Sequence, residues 1–167
     1  MAVSLVMSLV LGSTFVVLHR DKEPPDRTLS DEQTMGEVIE SARLFVGAGK
    51  LRNPTGSYLL QSCENADEPP YQGSAYITFD VPTITQTPEF FRGIARALRA
   101  GGWTEGLPDN RHPGGKALAR QGMTAYYYRH PDIPGRGVLQ IYGECGNVGD
   151  HRGDTAGFID ITDRLAG

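Results

Sequence analysis

Catalytic signatures, blocks of one charge and metal-spaced cysteines are all missing from this chain. Sixteen basic and twenty acidic residues leave a net charge of −4 with no basic run, so binding to nucleic acid has little electrostatic support. No Walker loop, no G-x-G-x-x-G following a strand and no G-x-S-x-G elbow occurs. Those absences remove the usual phosphate cradles and the serine-hydrolase turn. The single Asn-x-Thr triplet, Asn53-Pro54-Thr55, carries proline at its centre, which disqualifies it as a glycan acceptor. Cysteine is scarce as well: Cys63 and Cys145 are the only two.

What is present starts with residues 1–18, MAVSLVMSLVLGSTFVVL, which carry no charge. As a helix rising about 1.5 Å per residue they would reach roughly 27 Å, close to the roughly 30 Å of a bilayer core. No basic n-region and no small-x-small cleavage site marks them as a cleaved signal. No cysteine follows to take a bacterial-type lipid. The expectation is an uncleaved transmembrane signal-anchor at 1–18, a juxtamembrane linker at 19–29, and an extracytoplasmic α+β domain at 30–167. Arg20, Lys22 and Arg27 lie behind the apolar run, where the positive-inside rule favours the cytoplasm. A basic extension ahead of Met1 would reconcile that with an outward domain.

In an oxidising compartment two cysteines in a small domain form one disulfide; two buried free thiols are the alternative. Twenty-one glycines and eleven prolines make the domain rich in loops. Ser30 and Gln33 match a capping box, and Met35, Val38, Ile39, Ala42, Phe45 and Val46 recur at helical spacing until Gly47 and Gly49. Asn53 to Gly56 reads as a turn, with strands at 58–63 and 74–81. Thr87-Pro88-Glu89 starts a second helix, lined by Phe91, Ile94, Ala95 and Leu98 and stopped by Gly101-Gly102. Strands follow at 116–121, 123–130 and 138–145, and 158–162 reads as a closing strand or a helical start. The order helix, hairpin, helix, hairpin predicts two amphipathic helices on one face of an antiparallel sheet.

Titratable residues are densest at Asp150-His151-Arg152-Gly153-Asp154. A metal site there would need His112 or His130 from other loops, and no pair stands at a recognised ligand spacing. The RGD tripeptide within it is short enough to arise by chance. Cys145 with His151 could be drawn as a thiolate–imidazole pair, but a disulfide would consume the thiol. Glu64, Asp67 and Glu68 could meet calcium or simply water. No catalytic, cofactor or metal residue is therefore assigned. On a strand Tyr126 and Tyr128 share a face and Tyr127 takes the other. That places Tyr126 and Tyr128 with Tyr76 and Tyr142 as candidate partner contacts on an open sheet face.

The apolar leader, the Pro- and charge-rich linker, Cys63 and Cys145, and the phrase SCENADEPPY at 62–71 resemble small membrane-anchored or secreted envelope proteins of actinobacteria. That resemblance implies an extracytoplasmic location and a role beside a larger envelope complex, and carries over no functional residue. The expected function is a membrane-tethered binding or accessory module with a protein partner in the membrane or envelope. An envelope hydrolase or metal enzyme using loop histidines, and a lipid or small-ligand carrier, are the alternatives.

Overall fold

The computed structural model describes residues 27–64, 67–106, 112, 114–153 and 157–166. The expected transmembrane anchor at 1–18 and most of the linker lie outside the described residues, as does Asp154 of the RGD tripeptide. Among the described residues no helix is long and apolar enough to cross a membrane.

Helix α1 spans Asp31–Gly49 and opens on the predicted capping box. The Gln33 N–H donates to Ser30 Oγ at 3.3 Å, and the Ser30 N–H to Gln33 Oε1 at 2.9 Å. The helix runs past Gly47 and ends at Gly49, and Lys50 takes the left-handed turn, at φ 50°. Its N–H bonds the Gly47 carbonyl and the Leu51 N–H that of Val46, which supplies the closure glycine usually provides.

Strand β1 spans Arg52–Ser62 and β2 Tyr71–Asp80, paired antiparallel. The predicted turn at Asn53–Gly56 is therefore wrong. Arg52 faces Asp80 while Thr55 faces Thr78, so β1 carries one extra residue, a β-bulge. Asn53 absorbs it at φ 48°, donating from Nδ2 to Asp80 Oδ2 at 2.5 Å. Pro54 has no N–H to lose at the irregular step, so turn-like residues here mark a bulge.

Helix α2 spans Thr87–Arg99. Thr87 is its first residue, with Gln86 at the cap position. A preceding turn prepares the entry, since the Thr87 N–H and Oγ1 both donate to the Thr83 carbonyl at 3.0 Å. The remaining elements are β3 (Thr104–Glu105), β4 (Lys116–Arg120), β5 (Met123–Arg129), β6 (Arg136–Tyr142) and β7 (Ile159–Asp160), then a 3-10 turn over Thr162–Arg164. The C-terminal segment thus provides both the closing strand and the helical start.

The seven strands form one antiparallel sheet in the order β3-β4-β5-β6-β2-β1-β7, so the two long hairpins meet along β2 and β6. Both helices cover the same face, as their apolar stripes require. Val38, Ile39, Ala42 and Phe45 of α1 and Phe91, Ile94, Ala95 and Leu98 of α2 are buried with Ala75, Ile77, Phe79, Leu139 and Ile141 of the sheet. At the centre Phe45 meets Trp103 edge-on at 5.0 Å, and Phe91 meets Tyr127 edge-on at 5.3 Å. The Tyr127 hydroxyl donates to the Phe91 carbonyl at 3.2 Å, which satisfies its one polar atom inside the core. Gly73 lets α1 approach the sheet: a Cβ there would lie 2.8 Å from the Thr34 carbonyl oxygen.

Candidate functional site

Cys63 and Cys145 are joined in a disulfide, with Cα atoms 6.0 Å apart and a sequence separation of 82. The bond ties the loop after β1 to the segment after β6, so each hairpin is fastened to the other. It also removes the drawn Cys145–His151 thiolate pair. Beside it Leu29, which the sequence placed in the linker, is buried. Its N–H donates to the Gly146 carbonyl at 2.8 Å, and Arg27 pairs with Glu37 at 2.7 Å. The chain following the apolar leader is thus docked at the cystine end of the sheet.

The three described histidines have different neighbours. His112 stacks flat on Tyr128 at 3.5 Å. His130 Nδ1 accepts from the Asp132 and Ile133 N–H groups at 3.1 Å each. His151 Nε2 lies 3.0 Å from Asp31 Oδ1, the same oxygen that accepts from Asn147 Nδ2 at 2.6 Å. Among the described residues no group of three His, Cys, Asp or Glu could hold a metal ion. In the acidic cluster the Asp150 carboxyl is held down at about 2 by the Arg152 guanidinium, and both side chains are exposed.

The face of the sheet opposite the helices is where the tyrosines gather. Tyr76 on β2 and Tyr126 on β5 flank Gln140 on β6, in one row across three strands. In the next row Tyr142 lies between Ser74 and Thr124, with its ring edge-on to Tyr126 at 6.1 Å. Tyr76, Tyr126 and Tyr142 are half-buried, as a side chain on an uncovered sheet should be. Tyr128 differs from the expectation: the His112 ring shields it and it is only 5% exposed. Partial burial raises the Tyr76 and Tyr142 phenols above their ordinary value, so both stay neutral at neutral pH.

One wall of this face was not foreseen. Phe158 is 71% exposed and rises at the β1–β7 side. Between it and the tyrosines runs a groove of about 440 Å3, which Leu59, Tyr76, Tyr142 and Phe158 line with carbon. Gln61, Ser57, Ser74 and Gln140 supply its polar atoms. A second hollow of about 340 Å3 continues past Phe158 towards Thr55, Thr78 and Thr162. A lone aromatic behind Gly157, outside any apolar pattern, was the available signal for Phe158.

The described residues form an α+β fold, stapled by a cystine, with one sheet face covered by helices and one open. The family described as "Putative lipoprotein LppJ" matches residues 30–164. Proteins of that name from two strains of Mycobacterium tuberculosis and one of Mycobacterium bovis are 30% identical over 137 residues, covering 82% of this chain and 71% of each relative. The chain belongs to this family, which fits a membrane-associated envelope protein of unassigned activity and agrees with the actinobacterial resemblance. No solved structure matches the chain.

Proposed function

We propose that this protein is a membrane-tethered extracytoplasmic binding module, non-enzymatic, that serves as an accessory component of a membrane or envelope assembly. The observation that carries the reading is the open sheet face, where Tyr76, Tyr126 and Tyr142 share one uncovered surface with the exposed Phe158. Aromatic side chains of this kind are enriched where proteins meet. The cystine supports an oxidising, outward location. Both cysteines are consumed by it, so neither of them carries a lipid, and the apolar run at 1–18 is the attachment this reading proposes. Holding the domain at a surface raises its local concentration near membrane partners, so a modest interface suffices.

No observation favours a metal enzyme, since the described histidines are engaged at separate places. Two experiments test the reading. Thiol labelling of the full chain in intact cells should find Cys63 and Cys145 unreactive until a reductant is added; labelling without reductant would contradict the outward location. Affinity purification from native membranes should recover a protein partner with the wild type and lose it with Tyr126→Asp. A wild-type protein that migrates alone and crosslinks to nothing would defeat the partner reading.

A further inference from the structure

The groove beside Phe158 has a lining that a protein interface does not require. We propose that it binds a neutral sugar, with the ring of a neutral glycan lying against the Phe158, Tyr76 and Tyr142 side chains. Its volume of about 440 Å3 falls within the roughly 300–1,000 Å3 of small-ligand sites. No charged side chain lines it, in a chain where 22% of residues are charged. An ionic ligand would lose its hydration there and meet no counter-charge.

The lining also alternates in the way such a ring does. Leu59, Tyr76, Tyr142 and Phe158 offer carbon surface, which suits the C–H face of a pyranose. Ser57, Gln61 and Ser74 make no side-chain hydrogen bond among the described residues, and Gln140 only a long one of 3.5 Å from the Tyr142 hydroxyl. Their hydroxyls and amides are therefore available to a rim of ligand hydroxyls. An acyl chain would cover those groups and bond none of them, which is unfavourable. An extended peptide that adds to a sheet does so at a strand edge, whereas this groove lies on the face of the sheet. The adjoining hollow towards Thr55 and Thr78, where the Asp160 carboxylate also joins the lining, continues the site for a second sugar unit.

This inference takes the open face as a binding surface but does not depend on a protein partner. The test uses the full chain in nanodiscs of zwitterionic lipid, titrated against maltotetraose, chitotetraose and mannotetraose. A galacturonic acid tetramer and an uncharged heptapeptide serve as comparison ligands. The expected result is saturable binding of at least one neutral tetrasaccharide, weakened about tenfold or more by Phe158→Ala and several-fold by Gln140→Ala. Ile84→Ser, on the exposed turn before α2, should leave it unchanged. Failure of all three neutral sugars to bind, affinity that survives Phe158→Ala in a folded protein, or tighter binding of the acid or the peptide would overturn the inference. A variant that loses sugar yet keeps its membrane partner separates the two readings. Loss of the partner with sugar binding intact would sink the partner reading alone.

Discussion

The two faces of the sheet are built from alternating residues of the same strands, yet they have opposite fates. On β2, Ala75, Ile77 and Phe79 are wholly buried beneath α1 and α2, while Tyr76 between them stands half-exposed. On β6, Leu139 and Ile141 are wholly buried and Gln140 between them is half-exposed. One face is aliphatic and filled by a helical layer; the other mixes tyrosine with amide and hydroxyl groups and has no helical layer, being covered only at the end where His112 stacks on Tyr128 beside the buried Val138. A surface of that composition is too polar to need covering and too aromatic to be ordinary solvent-facing sheet. The contrast gives stability to one side and leaves the other free for the recognition role proposed above.

Substitutions should separate the faces most clearly in the core. Phe45 touches both Trp103 and Tyr127, so Phe45→Ala should cost about 3–5 kcal/mol in denaturant unfolding. A loss below about 1 kcal/mol would mean that this side is not the packed one. Gly137→Ala should cost roughly 1–3 kcal/mol through overpacking. Its Cβ would sit 2.6 Å from Val81 Cγ1 and 2.7 Å from Phe79 Cζ, both in the core.

Alkali offers a third contrast. Burial first, and the Asp31 charge second, push the Tyr58 phenol from 10.0 up to about 12. Between those values the folded protein keeps a proton that the unfolded chain has lost, so stability should fall as pH rises from about 10 to 12. Thermal unfolding across that range, with tyrosinate absorbance followed in parallel, checks it. Tyr58→Phe should flatten the decline. The smallest effect belongs to the open side: Phe158→Ser should alter stability by no more than about 0.5 kcal/mol. Its consequence should appear in binding alone.

Much of this arrangement was legible beforehand because local chemistry and tertiary packing agree. The Ser30–Gln33 box, the stripe from Val38 to Phe45 and the β2 alternation each have one satisfactory outcome, burial against the others. Where the reading failed, a local signal served a different tertiary purpose. Pro54 beside Asn53 looks like a turn, but the pairing of β1 with β2 turns it into a bulge. Gly47 looks like a helix stop, yet α1 runs past it and ends at the second glycine, Gly49, with Lys50 taking the left-handed position. The open tyrosines followed from strand parity, whereas the shielding of Tyr128 by His112 depends on a distant loop that parity cannot report. Phe158 escaped notice as a site residue because it stands just ahead of the two-residue strand β7, where there is no periodicity to read.

The difference between the faces is tested most directly by site-specific photocrosslinking in intact cells. A benzophenone amino acid would be placed in turn at Tyr126, Phe158, Arg92 and Lys50. Adducts formed from Tyr126 and Phe158, and absent from the helix-side positions Arg92 and Lys50, are what the account requires. Adducts confined to the helix side, or none from the open sheet, would contradict it.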